Sequence, residues 1–251
     1  RVFAQTTNFC FNSPPILAEF LTLGPGRHVF EFSYHLPHKL PSSFKSKIGS
    51  IYYFTEVTFE RVWKRNQKIE LEFRVTSAFD LNIFPALKNP AQETVERNFC
   101  CWCCSNGPLQ IVLAIPRTGY LYGESIDVVV DVDNASKVDV IGLTLKFQQL
   151  TKFHGVYLAG KFKKVAEVYE QYELGSVERG SSENFKRSFK IPSLPNSCAH
   201  ESSIIKPEYQ IYLEVSPGIF RETLKASIPL KIGTVRFSED PRNGIEVVKI
   251  V

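Results

Sequence analysis

Glu124-Ser125-Ile126-Asp127-Val128-Val129-Val130-Asp131-Val132-Asp133, residues 124–133, places an apolar side chain at every second position. Ile126, Val128, Val130 and Val132 fall on one side of an extended chain, and Asp127, Val129, Asp131 and Asp133 on the other. A period of two belongs to a β-strand with one oily face and one wet face. The same pattern recurs on both sides. Ile69, Leu71, Phe73 and Val75 interleave with Lys68, Glu70, Glu72 and Arg74; Leu224, Ala226, Ile228, Leu230 and Ile232 interleave with Thr223, Lys225, Ser227, Pro229 and Lys231. Strands of this kind bury their oily faces by stacking sheet on sheet, so the chain is expected to be all-β and built from immunoglobulin-type β-sandwiches.

With 251 residues, the chain has room for two sandwiches of about 100 residues each. An apolar share of 43% and an aromatic share of 13% suffice for a packed core, which argues against wholesale disorder. The net charge of +4 is too mild for a dedicated nucleic-acid binder, and no apolar run approaches the length of a membrane-spanning helix. The first residues, Arg1-Val2-Phe3-Ala4-Gln5, have neither the apolar stretch nor the cleavage site of a signal peptide. Methionine is missing throughout, position 1 included, so the chain is expected to be a processed piece whose first sandwich is incomplete.

Gly24-Pro25-Gly26 is a turn, Val29, Phe30 and Phe32 begin a strand, and a polar loop with Lys39, Lys45 and Lys47 follows. A long strand, with Ile51, Tyr53, Val57, Phe59 and Trp63 on one face, then turns at Arg65-Asn66-Gln67 into the strand over 68–76, as a hairpin. Seven strands are predicted further on, over 109–115, 124–133, 139–150, about 160–173, 183–191, 204–215 and 222–233. Phe162, Val165, Ala166, Val168, Tyr169 and Tyr172 also fit helical spacing. Residues 84–98 have no period, and the domains are accordingly read as a partial first sandwich over 1–83, a linker with a cysteine-rich segment over 84–106, a second sandwich over 107–235 and a C-terminal extension over 236–251.

Several constellations bear on chemistry. Cys100, Cys101, Cys103 and Cys104 flank Trp102, while Cys10 and Cys198 stand apart. Four thiols in five residues cannot wrap one tetrahedral zinc, and no histidine lies within ten residues; Cys198 and His200 would have to complete such a site. The leading reading is reduced thiols at the domain junction, with lipid-modified cysteines as the alternative. Bunched cysteines suit a reducing compartment better than a disulfide framework. Asn134-Ala135-Ser136 is a formal glycosylation sequon, but an Asn ending a strand is ordinarily a turn residue. Asp127, Asp131, Asp133 and Asp139 invite comparison with calcium-binding sandwiches, against which their place on the wet face of a strand speaks. No nucleophile elbow, metalloprotease helix or phosphate-cradling glycine loop is present in the sequence, and no cofactor is implied. Lys161, Lys163 and Lys164 form a basic cluster suited to a solvated face or to acidic tails and anionic lipid headgroups.

A set of ordered motifs adds a family to this reading. Leu23-Gly24-Pro25-Gly26-Arg27-His28-Val29-Phe30-Glu31-Phe32 is followed by Leu36-Pro37, Pro41-Ser42-Ser43-Phe44 and Gly49-Ser50-Ile51-Tyr52-Tyr53. The second half continues with Gly119-Tyr120-Leu121-Tyr122-Gly123-Glu124-Ser125-Ile126, Asp133-Asn134-Ala135-Ser136, Ile204-Ile205-Lys206-Pro207-Glu208-Tyr209 and Pro229-Leu230-Lys231-Ile232-Gly233-Thr234. Together with the Cys-Cys-Trp-Cys-Cys stretch, this series resembles the arrestin-domain-containing proteins, the α-arrestins, over roughly residues 22–235. The resemblance implies two arrestin-like sandwiches in tandem and a non-enzymatic adaptor in the cytoplasm, peripheral to plasma membrane and endosomes. Such an adaptor binds cytoplasmic regions of membrane proteins and recruits HECT-type ubiquitin ligases for endocytosis and endosomal transport. The ligase-binding Pro-Pro-x-Tyr motif is absent: Pro14-Pro15-Ile16-Leu17 lacks the tyrosine, and 236–251 has none. Ser202-Ser203 stand where one branch of the family has a thioredoxin-engaging cysteine. The competing expectation is an extracellular or calcium-dependent adhesion sandwich.

Overall fold

The structure, a computed structural model, describes residues 25–27, 29, 33, 35, 36, 40–59, 63–99, 107–154, 162–197, 205–218 and 222–238. Its regular elements are strands and two short 3-10 turns. In the first half lie β1 (Phe44–Lys45), β2 (Ser50–Ile51), β3 (Tyr53–Phe59) and β4 (Gln67–Phe73). The second half comprises β5 (Ala91–Arg97), β6 (Leu109–Ile115), β7 (Gly119–Leu121), β8 (Ser125–Asn134), β9 (Val140–His154), β10 (Phe162–Val177), β11 (Ser181–Lys190), β12 (Ile205–Pro217) and β13 (Leu224–Gly233).

A five-stranded sheet in the order β10-β9-β12-β13-β7 faces a four-stranded sheet in the order β11-β8-β6-β5. The alternating residues account for the pairing. Leu109, Ile111, Leu113 and Ile115 of β6, with Ile126, Val128, Val130 and Val132 of β8, are buried against Leu143, Leu145 and Phe147 of β9 and Ile211, Leu213 and Val215 of β12. Phe147 knits the sheets together: its ring lies 6.3 Å from Phe189, 5.7 Å from Tyr169 and 6.3 Å from Tyr209. Each fully buried Leu, Ile, Val or Phe contributes about 1.5–3 kcal/mol relative to exposure, and this core holds the sandwich shut.

The ambiguous 162–172 segment is strand. It pairs antiparallel with β9, because a neighbouring strand satisfies the backbone that helical spacing alone would have closed on itself. Two elements depart from the sequence reading. The supposed linker over 84–106 contains β5, which pairs with β6 from Ala91↔Ile115 to Arg97↔Leu109. Its inner positions are Ala91, Glu93 and Val95, and the polar Glu93 conceals the alternation; its carboxylate accepts from the Ser227 N–H at 2.6 Å. Trp63 does not extend the strand of Tyr53, Val57 and Phe59. It occupies the turn after β3 with φ 63° and is 98% exposed. The hairpin itself is present, β3 pairing with β4 from Tyr53↔Phe73 to Phe59↔Gln67.

Candidate interaction surfaces and the domain junction

The outer face of the five-stranded sheet extends the basic cluster seen in the sequence. Lys164 of β10 lies opposite Lys152 of β9, which lies opposite Lys206 of β12. Strands are spaced about 4.8 Å apart, so the three lysines span a transverse row of about 10 Å. Lys152 also pairs with Glu208, at 2.8 Å. Lys163 points to the opposite side of β10 from Lys164, as successive strand residues must. Lys161 lies outside the described residues. Lys152 and Lys206 are far from Lys164 in sequence, and only strand register brings them together.

Behind this row, on the inner side of the sheet, is a polar network. The Tyr169 hydroxyl donates to Gln149 Oε1, and Gln149 Nε2 donates to Thr151 Oγ1 at 2.7 Å. Burial pushes the Tyr169 hydroxyl up to about 12, and the Glu167 carboxylate adds to the shift. Tyr209 is raised by burial too, and its hydroxyl donates to the Pro195 carbonyl at 2.6 Å. The network fixes the end of β9 beneath the lysines with its polar groups satisfied.

The polar loop predicted around Lys39, Lys45 and Lys47 contains a structural element of its own. Ser46 turns β1 into β2, its hydroxyl donating to the Gly49 carbonyl at 2.8 Å. Phe44 projects into the second half, where it is buried with Phe153 and Ile205. Beside it, Ser42 Oγ donates to Asn196 Oδ1 at 3.0 Å, Asn196 Nδ2 donates to the Ser77 carbonyl, and the Ser77 N–H donates back to Ser42 Oγ at 3.0 Å. Further along, Thr234 N–H donates to the Phe79 carbonyl at 3.0 Å, and Asn82 Nδ2 to the Arg236 carbonyl at 2.9 Å. A Cβ at Gly233 would stand 2.5 Å from Leu81 Cγ and 2.9 Å from the Phe79 carbonyl, so the connector and the end of β13 approach as only glycine permits. The connector between the halves is thus bonded along its length to the second sandwich.

The remaining candidates separate clearly. Cys100, Cys101, Cys103 and Cys104, with Cys10, Cys198 and His200, lie outside the described residues. Asn134 is fully buried and structural: its Nδ2 donates to the Val138 and Glu178 carbonyls at 2.8 and 3.1 Å, and its Oδ1 accepts from Ser136 Oγ at 2.6 Å. The folded sandwich has no room for a glycan there. Asp131 accepts from Asn184, Asp133 from Ser182 Oγ at 2.9 Å, and Asp139 from the Arg179 N–H at 2.9 Å. These carboxylates are spent on neighbouring strands and turns and do not converge. Among the described residues no group of three or more His, Cys, Asp or Glu could hold a metal ion, and no helix is long and apolar enough to cross a membrane.

Comparison with known families matches two regions of the chain. Residues 105–237 match the family model described as Arrestin (or S-antigen), C-terminal domain, and residues 3–82 match its N-terminal counterpart. The chain belongs to the arrestin-domain-containing family, the α-arrestins. This α-arrestin is 31% identical over 230 residues to human Arrestin domain-containing protein 4, covering 90% of the chain and 53% of the human protein. It is 33% identical over 217 residues to Arrestin domain-containing protein 17 of Caenorhabditis elegans (85% and 49%), and 25% identical over 232 residues to rat Arrestin domain-containing protein 1 (92% and 52%). The α-arrestin chain spans about half the length of the curated relatives it matches. Its fold is the tandem arrestin-like β-sandwich architecture expected from the alternation.

Proposed function

We propose that this chain is a non-enzymatic adaptor that docks acidic cytoplasmic regions of membrane proteins on the outer face of its second sandwich. The observation that supports this most is the row Lys164–Lys152–Lys206, set on a sheet whose far side is a packed core. Cations fixed on a rigid surface attract an acidic segment without the entropic cost of ordering a loop first. The adaptor works in the cytoplasm beside plasma membrane and endosomes. It passes its cargo to HECT-type ubiquitin ligases for endocytosis and endosomal transport, as the family resemblance implies. Lys163, with Lys161 two residues before it in the sequence, is the candidate for peripheral contact with anionic lipid.

The test is the double charge reversal Lys164→Glu with Lys206→Glu. An acidic peptide such as acetyl-(Asp-Ser-Glu)3-amide should bind the parent chain at low salt, weaken as salt rises, and bind the variant at least tenfold more weakly. Vesicles of phosphatidylserine and phosphatidylcholine form a separate arm. Unchanged peptide binding by the variant would overturn the cargo reading, and loss of vesicle binding alone would assign the row to lipid. Co-precipitation with a HECT-type ligase tests the later step independently.

A further inference from the structure

At the tip of the β3–β4 hairpin, Trp63 is 98% exposed, more than any other large apolar side chain among the described residues. It is also their only non-glycine residue at positive φ, 63°. That backbone region strains a bulky side chain, whereas Gly or Asn takes it readily. Asn66 lies three residues on in the same connection, yet the indole holds the strained position. The ring therefore neither fills a core nor eases the turn. The base of the hairpin is tied down, the Tyr53 hydroxyl donating to the Pro41 carbonyl at 2.6 Å and the Val75 N–H to Ser43 Oγ at 3.0 Å. β3 leads from there toward the tip, a rise of about 20 Å. Lys64 follows Trp63 and is exposed, while Arg65 and Asn66 are engaged within the protein. Over 60–65 the sequence sets Arg61, Lys64 and Arg65 against Glu60.

We infer that Trp63 and Lys64 anchor the hairpin tip to an anionic bilayer, the indole lying among the headgroups and the ammonium on their phosphates and carboxylates. Tryptophan concentrates at membrane–water interfaces because its ring is apolar and its N–H is polar. A cation beside it is drawn to a surface of anionic lipid. A tryptophan that serves as a protein-binding hot spot is ringed by further contacts that exclude water. Here Lys64, Arg65, Asn66, Gln67 and Lys68 are all polar and exposed, so these neighbours supply no such ring. One anchor of this kind is weak alone. On a chain already holding membrane-protein cargo it acts at the effective concentration of a tethered site. The inference rests on the placement beside a membrane proposed above, and goes beyond it by naming an aromatic contact on the first half of the chain.

The test uses the full chain carrying Trp102→Phe, which leaves Trp63 as its single tryptophan. Vesicles of equimolar phosphatidylserine and phosphatidylcholine should move its emission to shorter wavelength, and brominated acyl chains should quench it. Phosphatidylcholine alone should do both more weakly. Trp63→Ala should lower partitioning onto the anionic vesicles by about tenfold, Trp63→Phe should lower it less, and Lys64→Glu should weaken binding to anionic vesicles only. Should Trp102→Phe fail to fold, hydrogen exchange on the parent chain replaces the optical readout, and anionic vesicles should slow the amides of 63–66. Unshifted emission, unslowed exchange or equal partitioning of Trp63→Ala would overturn the inference. So would a shift produced by the acidic peptide and by no vesicle, which would make Trp63 a protein contact. A Trp63 shift on vesicles, with peptide binding unchanged in the Lys164→Glu, Lys206→Glu variant, keeps this inference and overturns the cargo reading. Vesicle binding with no change at Trp63 does the reverse.

Discussion

In β8, Ile126, Val128, Val130 and Val132 are sealed between two sheets, whereas on the β3–β4 hairpin the corresponding stripe of Val57, Ile69 and Leu71 is open to solvent, Leu71 being 71% exposed. Both stretches obey the same two-residue alternation. The difference is the opposing sheet: β8 has one, and among the described residues β3 and β4 pair only with each other. Alternation specifies that a strand has an oily face but is silent about what covers it. Among the described residues the buried apolar side chains are therefore concentrated in the second half, to which Phe44 and the connector join the first.

Mutations that act on one region and not the other sharpen this contrast. The largest effect is expected from Phe147→Ala, which removes the ring shared by both sheets and should cost about 3–5 kcal/mol in denaturant unfolding of the second sandwich. Asn134→Ala should cost about 2–3 kcal/mol in the same assay, because it strips the partner from buried carbonyls at two turns. The pH dependence follows from Tyr169, whose proton is held to about 12 in the folded chain against an ordinary 10. The unfolded chain releases that proton first, so its stabilising contribution is complete below about pH 10 and is lost as pH climbs toward 12. Denaturation midpoints at pH 9 and 11.5 should fall less steeply for Tyr169→Phe than for the parent, and an equal fall would contradict the assignment. The smallest effect is expected at Leu71→Ala, within about 0.5 kcal/mol. A loss there as large as that for Phe147→Ala would erase the contrast between the two regions.

How much of this was legible in the sequence depended on whether a residue's neighbours were near it in the chain. The strands over 109–115, 124–133 and 222–233 could be read because their inward faces are uniformly oily at every second residue. β5 could not, since its inward Glu93 serves the Ser227 backbone and breaks the pattern. β7 is too short to show a period. Phe44 was hidden in a lysine-rich loop whose polarity is real but whose one aromatic residue is an anchor. The basic surface was half visible: Lys163 and Lys164 stood out as neighbours in sequence, while Lys152 and Lys206 join them only through the β9 and β12 registers. The family motifs carried the architecture and the adaptor expectation, and had no bearing on which lysines the strand registers bring together.

The most direct test of the account is hydrogen exchange across the whole chain, with and without the acidic peptide of the docking assay. Slow exchange in β6, β8, β9 and β12, fast exchange in β3 and β4, and added protection confined to β9, β10 and β12 around Lys152, Lys164 and Lys206 is the predicted result. Sandwich amides that exchange as fast as those of the hairpin, or protection that appears on β3 and β4 instead, would contradict it.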